Sequence, residues 1–437
     1  MNYKNHIRWP HIDIPSSYGL DYDGYLSTLV YDGAHKRYGR DLSSDCIGRI
    51  ELELNYIKRF CCAQYFIILS DIVKYARENE IWIGAGRGRT VSSIICYCLF
   101  IDDIDPIKFG LSSFRVCWKE EDFFPDVDID VSKAKRNQLF DYIRNKYGEL
   151  AVYRIKPNTD LFSKVHPCTI MISDEKSIDH IQKEKMFVED EDREVLVADI
   201  CKRQLEEKGY LNYDLLEMKH VDLIGDVCKL IENKYGTKVD LANLDITDNN
   251  VLALFCEGDT NDIFQFDCSG LEEYLQLLEP SSFSDLVALN SLYRPGLLDW
   301  IPDYICRKNG VEDIPNFASA NYILKSTYGI PIYRDQIIQL LNEIGNISYD
   351  ISNKIYMLLA RRKEITQYES LFRDGCLKQG IKDSESEMLW DFVLTYSGFT
   401  FDKSHAIAYT YIAFQQAWLK TYYPSEFHEI SSAFHTK

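Results

Sequence analysis

Apolar residues recur at three- and four-residue spacing through Ile47–Lys58 and again through Tyr65–Arg77, the period of helices with one buried face. Residues from about 20 to 80 therefore read as helices. The pattern then changes. Ile81-Trp82-Ile83 predicts a short strand, Gly84-Ala85-Gly86-Arg87-Gly88-Arg89 a glycine-rich turn, and Val91–Phe100 a buried helix. In Phe124-Pro125-Asp126-Val127-Asp128-Ile129-Asp130, acids alternate with apolar residues. As a strand, this segment turns three carboxylates to one face and Val127 and Ile129 to a core. A charged helix is predicted over Lys133–Tyr147, and strands over Val152–Ile155 and Thr169–Ile172. Residues 174–210, which carry the run Glu189-Asp190-Glu191-Asp192, are expected to form a solvated helical insertion. Glu217–Gly225 is expected to be another short strand with one inward acid, Asp222. Beyond about residue 245 the pattern is mainly helical, punctuated by Pro280, Pro295, Pro302 and Pro315, with no internal repeat and no low-complexity tract.

Three like charges on one short strand repel each other, and a cation between them removes the conflict. Clustered hard oxygen ligands suit Mg²⁺, and paired divalent ions about 4 Å apart serve phosphoryl and nucleotidyl transfer. An acidic surface turn is the plain alternative, but the apolar spacers and the leading Phe123-Phe124-Pro125 count against it. A calcium loop of the EF-hand type needs Gly at its sixth position and Glu at its twelfth, where Val131 and Asn137 stand. The glycine-rich turn, between strand and helix, has the layout that aims backbone N–H groups and a positive dipole end at an anion. Its spacing matches neither G-x-x-x-x-G-K-[ST] nor G-x-G-x-x-G, since Arg89 occupies the last glycine position. By itself it is a tight turn; the interleaved Arg87 and Arg89 favour phosphate, which arginine binds with paired donors.

Composition narrows the classes further. A chain of 437 residues with 46% hydrophobic content forms two or three packed units. The net charge of −19 counts against nonspecific nucleic-acid binding, which draws on basic surface, while leaving room for a basic groove on an acidic body. No apolar run approaches the roughly 20 residues that span a bilayer, so no membrane is expected as a partner. The N-terminus Met1-Asn2-Tyr3-Lys4-Asn5-His6 lacks the layout of a signal peptide. The 13 cysteines are scattered, with no two C-x-x-C pairs at zinc spacing, which favours reduced thiols in a cytoplasm.

Taken in order, these segments resemble the C family of DNA polymerases, the catalytic alpha subunits of bacterial replicative polymerase III. Tyr65-Phe66-Ile67-Ile68 and Tyr75-Ala76-Arg77-Glu78-Asn79 resemble the helix before the family's G-x-G-R-G-S turn. Gly84–Gly88 resembles that turn, and Tyr97-Cys98-Leu99 and Ile104-Asp105-Pro106 follow as in the family. Pro125–Asp130 resembles its P-D-x-D-x-D signature, and Val221-Asp222-Leu223-Ile224-Gly225 its third-acid strand. Phe264-Gln265-Phe266, Tyr293-Arg294-Pro295-Gly296, Tyr328-Gly329-Ile330 with Gln336, and Phe401-Asp402-Lys403-Ser404-His405-Ala406 resemble its fingers, with Trp418-Leu419-Lys420 and Tyr423-Pro424 beyond.

The resemblance implies an α+β fold. A polymerase-beta-like nucleotidyltransferase palm would occupy residues 1–240, with the N-terminal helices and the charged insertion, and a mainly helical fingers domain residues 241–437. It implies attack of a primer 3′-hydroxyl on the alpha phosphate of a deoxynucleoside triphosphate. Asp126, Asp128 and Asp222 would be the catalytic acids and the ligands of two Mg²⁺ ions, with Mn²⁺ as an alternative. Asp130 is set aside because the family's ligands are the first two of the triplet. Gly86, Arg87, Gly88, Arg89, Arg115 and His220 would bind the nucleotide from the palm, and Arg294, Arg361, Arg362, Lys403 and His405 from the fingers.

The departures are informative. Arg89 replaces the family's serine, and His220, with Lys219 beside it, replaces a lysine. Arg361-Arg362-Lys363 has a second register, at Tyr356-Met357. Ile155 is followed closely by Val165-His166-Pro167, so the resemblance leads to the expectation of a thumb that is nearly absent, and the family's N-terminal phosphoesterase-like and C-terminal clamp-binding and OB-fold parts are expected to lack a counterpart. The implied partners are dNTP, a DNA primer or primer-template, and protein subunits that supply duplex grip, in a bacterial or phage-infected cell. A template-independent nucleotidyltransferase, acting on a nucleic-acid end or a protein hydroxyl, is the alternative. A catalytically inert scaffold is a third reading, opposed by the presence of all three acids.

Overall fold

A computed structural model describes residues 9–10, 12–15, 21–111, 127–148, 151–157, 165–166, 168–173, 181–188, 191–361, 363 and 365–434. The chain divides into two units, one of Met1–Ala242 with Ser425–Lys437 and the other of Asn243–Pro424.

The first unit opens with three helices, α1 (Tyr22–Tyr38), α2 (Ser44–Arg59) and α3 (Ala63–Glu78). The Asp21 and Ser43 side chains accept from Gly24 N and Cys46 N and so start α1 and α2, each satisfying an N–H that the helix itself leaves unpaired. Tyr65, Phe66, Ile68, Leu69, Ile72 and Val73 of α3 are fully buried in a core that also takes Ile129 and Val131. The sheet consists of β1 (Asp128–Val131), β2 (Val152–Ile155), β3 (Thr169–Ile172), β4 (Lys183–Val188), β5 (Arg193–Ala198) and β6 (Leu211–Glu217). Its order is β1-β6-β3-β2-β5-β4. β1 runs parallel to β6 and β2 to β5, and the other neighbours are antiparallel. α4 (Ile94–Cys98) precedes the sheet, α5 (Arg136–Tyr147) follows β1, and α6 (Lys202–Lys208) and α7 (Lys219–Tyr235) flank β6. The fold is α+β, as expected, with a mixed sheet.

Four local expectations need correction. Ile81–Ile83 forms only a single antiparallel bridge, Ile83 to Val131; the glycine turn begins at the next residue. Val91–Phe100 is split into a 3₁₀ turn, Thr90–Ser92, and α4, because Ser93 is extended and caps α4. The expected helical insertion at 174–210 contains the antiparallel pair β4 and β5 before the short α6. Met186 and Val188 on β4 and Val195 and Val197 on β5 recur at a period of two and pack together, a half-buried strand pattern that a count of the neighbouring charges hides. Glu217–Gly225 is the end of β6 followed by the start of α7. Val221, Ile224, Cys228 and Ile231 are buried at helical spacing, which overrides the strand reading.

The second unit is mainly helical from Asn249–Glu257 through Lys403–Tyr422. Its long final helix is buried at Ala406, Ile407, Tyr411, Ile412 and Phe414. The last helix, Pro424–Phe434, falls outside this unit and belongs to the first. There Glu426 accepts hydrogen bonds from Tyr235 Oη at 2.8 Å and Lys234 Nζ at 3.3 Å. Among the described residues no helix is long and apolar enough to cross a membrane.

Candidate active site

The acid strand splits its residues between two environments. Ile129 and Val131 enter the core, as do Tyr213 and Leu215 of the neighbouring β6. Asp128 and Asp130, and on β6 Asp214, therefore project from the opposite face. In the parallel register Asp128 pairs with Asp214 and Asp130 with Leu216, so the Asp128 and Asp214 carboxylates stand on adjacent strands of one face. Asp214 is held in place. Thr169 Oγ1, across the β3–β6 pairing, donates to its Oδ1, and Lys202 Nζ donates to its Oδ2 at 2.5 Å. Arg87 Nη1 donates to Asp130 Oδ1 at 2.6 Å, with Nε 3.9 Å from Asp128 Oδ2. These cations offset the repulsion among the three acids. Asp126, Arg115 and Arg362 lie outside the described residues.

Among the described residues no group of three His, Cys, Asp or Glu side chains is gathered as a metal site. The donors that are described nevertheless fit a hard divalent cation. They are carboxylates on neighbouring strands, and an ammonium already stands in as the counter-charge against one of them.

Asp222 sits elsewhere than the sequence suggests. It is in the first turn of α7 and reaches the turn after β1, where its Oδ1 accepts from Ser132 Oγ and its Oδ2 from Lys133 N at 2.8 Å. Ser132 Oγ accepts in turn from Lys135 N at 3.1 Å. Both Asp222 oxygens thus fix the β1–α5 connection. Burial raises its carboxyl pKa, and the hydrogen bonds from Ser132 and Lys133 oppose that rise in part. His220, two residues earlier on the same helix, packs its ring 5.4 Å from that of Phe434.

The glycine turn lies against β1, with Gly84 N donating to Asp130 O at 2.9 Å and Ser132 N to Trp82 O at 2.9 Å. Gly86 and Gly88 adopt φ of 146° and 58°, conformations that glycine takes without steric cost. The helix N-terminus behind the turn, expected to face an anion, already holds one. Glu53, completely buried, accepts from Ser93 Oγ at 2.7 Å, Ile94 N at 3.2 Å and Ile95 N at 3.3 Å. An internal carboxylate therefore satisfies α4, and the anion-facing groups of this region reduce to the turn itself and to Arg87 and Arg89.

The second unit gathers three of its four described candidates. Arg294 lies 3.3 Å above the Phe401 ring, Phe401 meets His405 edge-on at 5.2 Å, and His405 packs on Tyr409 at 4.2 Å. Lys403 stands 5.9 Å from the Tyr333 ring. Phe401 N donates to Ile332 O at 3.0 Å and Arg334 N to Phe401 O at 2.9 Å, which anchors the segment. Burial lowers the pKa of Arg294 and of Lys403. Arg361 is exposed at the end of the helix Tyr349–Ala360.

Residues 24–164 match the family model of the bacterial DNA polymerase III alpha NTPase domain, and residues 220–380 that of the bacterial DNA polymerase III alpha subunit finger domain. DNA polymerase III subunit alpha of Halalkalibacterium halodurans is 27% identical over 489 residues, covering 96% of this chain and 44% of the relative. The subunit of Bacillus subtilis is 26% identical, covering 94% and 43%, and that of Campylobacter jejuni 28%, covering 87% and 38%.

The chain belongs to the DNA polymerase III alpha family. It spans less than half the length of those curated relatives. In this polymerase III alpha family member, the first matched segment contains the glycine turn and β1, whereas β6 with Asp214 falls between the two matched segments. The sequence reading missed Asp214. Its signal is the alternation of Leu211, Tyr213 and Leu215 with Asn212 and Asp214, a period of two that marks a strand able to stand beside the acid strand.

Proposed function

We propose that this chain transfers deoxynucleotides from dNTP to a primer 3′-hydroxyl under the direction of a DNA template. The observation that carries the proposal is the pairing of Asp128 with Asp214 on one sheet face, with Arg87 of the glycine turn beside it. The sheet serves as the palm of a polymerase-beta-like nucleotidyltransferase, and the helical unit Asn243–Pro424 as the fingers.

Asp128, Asp214 and Asp126 would hold two divalent ions, with Asp214 in the role first expected of Asp222. Mg²⁺ is the first choice for oxygen donors and Mn²⁺ the alternative. When bound, such ions lower the pKa of the attacking hydroxyl and neutralise charge on the leaving phosphates. The chain's own groups do the remaining work. Arg87, Arg89 and the backbone of Gly86 and Gly88 receive the triphosphate, where guanidinium groups pair with phosphate oxygens. The strands fix the carboxylates before substrate arrives, so little reorganisation is required at the moment of reaction. Arg294, Lys403 and His405, set among Phe401, Tyr409 and Tyr333, offer cationic and aromatic surfaces suited to phosphates and a base.

β2 and β3 pair directly, with His166 N donating to Ile155 O at 2.7 Å in the connection between them. That compact return, on a chain of net charge −19, leaves duplex grip to partner subunits or makes synthesis distributive. Primer extension with each triphosphate supplied singly, with and without template, tests the proposal. Metal-dependent incorporation of the complementary base alone is expected. Incorporation regardless of template would establish the template-independent alternative, and no incorporation under any condition would remove both.

A further inference from the structure

We propose that Asp130 is a positioning residue whose buried carboxylate pins the Arg87 guanidinium beside the carboxylate face, so that Arg87 meets the incoming triphosphate without taking Asp128 from its cations. The proposal rests on the nucleotidyl-transfer reading above.

Asp130 is 2% exposed, a burial that a carboxylate tolerates only with a charged or hydrogen-bonding partner. Its Oδ1 receives Arg87 Nη1 at 2.6 Å, and its Oδ2 is buried with no hydrogen-bond partner among the described residues. Among the described residues the polar engagement of this side chain is therefore with Arg87. The approach is built into the backbone. Ile83 bridges to Val131, and Gly84 N donates to Asp130 O at 2.9 Å. A Cβ on Gly84 would lie 2.9 Å from Asp130 Cβ, closer than real Cβ atoms approach, so glycine at 84 is what lets the turn reach the strand.

Arg87 is in contact with two acids at unequal distance. Its Nη1 is tight against Asp130, and its Nε is 3.9 Å from Asp128 Oδ2. Asp128 is the more exposed, with 35% of its side-chain surface open against none for Asp130. Among the described residues, a guanidinium released from Asp130 has Asp128 as its next carboxylate, 3.9 Å away, and would form there the pair that divalent ions need to displace. Asp130 prevents this by holding one edge of the planar fork, which fixes the orientation in which the guanidinium meets phosphate oxygens. Burial behind the turn also explains why the third acid of the triplet serves differently from the first two.

Steady-state insertion of one complementary nucleotide by the full chain on a primer-template tests this. The variants are Asp130→Asn, Arg87→Ala and the double variant, with thermal melts to confirm folding. Loss of one charge-assisted contact corresponds to about tenfold in affinity. Asp130→Asn is expected to raise KM for dNTP by about that factor, to raise the Mg²⁺ concentration needed for half-maximal rate, and to change kcat by less than about threefold. In the Arg87→Ala background the same substitution is expected to add less than about twofold, because the two residues act as one unit. Arg87→Lys, which keeps the charge and loses the fork, provides a second route should Asp130→Asn not fold. It is expected to raise KM nearly as much as Arg87→Ala. Multiplicative effects in the double variant, a loss of kcat at unchanged KM, or wild-type behaviour of Arg87→Lys would overturn the proposal alone. A wild-type chain that inserts nothing would overturn the underlying reading and this proposal with it.

Discussion

Asp128 and Asp214 face each other across the parallel strands β1 and β6. Neighbouring strands lie about 4.8 Å apart, and two carboxylates at that spacing repel unless a cation intervenes. In this chain Lys202 pairs with Asp214 and Arg87 approaches Asp128. The face is thus arranged to be balanced by positive charge, and its chemistry follows from which cation supplies it.

The sheet that carries Asp214 is braced on its other side by a buried ion cluster. The Glu191 side chain is fully buried among Arg144 at 3.0 Å, Arg154 at 2.5 Å and Arg193 at 3.1 Å. Burial alone would raise the Glu191 carboxyl pKa, but the three arginines outweigh it and hold it below the usual range. A folded-state pKa below the unfolded value of about 4.3 makes the contribution complete above that pH and lost as the pH falls through the folded value. Glu191→Gln leaves Arg154 buried without its counter-charge and is expected to cost about 3 kcal/mol at neutral pH. Unfolding midpoints measured from pH 7 to pH 3 should show the gap between wild type and variant narrowing in acid. A constant gap would refute the assignment.

At Gly86 a Cβ would lie 2.4 Å from Val91 Cγ1 and 3.0 Å from Asp102 Cβ, with φ at +146°. Gly86→Ala combines strain with a clash and is expected to cost about 3 kcal/mol and to raise KM for dNTP. At Gly88 the φ is +58° but the space is open, so Gly88→Ala should cost only about 1 kcal/mol. Thermal midpoints ranked wild type, Gly88→Ala, Gly86→Ala check this. Equal destabilisation would show that the packing around Gly86 yields.

Arg294 rests on the Phe401 ring at 3.3 Å. A partly desolvated cation–π contact contributes about 1–2 kcal/mol, and Arg294→Lys retains charge without the flat stacking surface. The variant is expected to fold with a small loss in midpoint and to raise KM for dNTP by about tenfold. Phe401→Leu should do the same through the other partner. An unchanged KM in both would remove this cluster from the nucleotide path.

Where local periodicity alone decides structure, the sequence reads well. The apolar rows of Ile47–Lys58 and Tyr65–Arg77 lie within α2 and α3, and Val152–Ile155 and Thr169–Ile172 are β2 and β3. The acid strand is also legible, because alternation with Ile129 and Val131 fixes its faces. One departure comes from the length of the window. Val221-Asp222-Leu223-Ile224-Gly225 was matched as a short motif, and a motif of five residues carries too little period to distinguish strand from helix. The longer window, with Cys228 and Ile231 buried one and two turns on, decides for helix and moves the acid search back to Leu211–Glu217. Glu53 was hidden for a different reason. Its role at the N-terminus of α4 depends on a contact across about 40 residues of chain, which no local pattern records.

The most direct measurement compares Asp214→Asn with Asp222→Asn in templated single-nucleotide insertion, below the thermal midpoint of each variant. If Asp128 and Asp214 form the catalytic face, Asp214→Asn lowers kcat by at least about 10²-fold, as Asp128→Asn does. Asp222→Asn then costs stability through the loosened β1–α5 turn and leaves kcat within about tenfold of wild type. Full activity in Asp214→Asn with abolished activity in a folded Asp222→Asn would contradict the account.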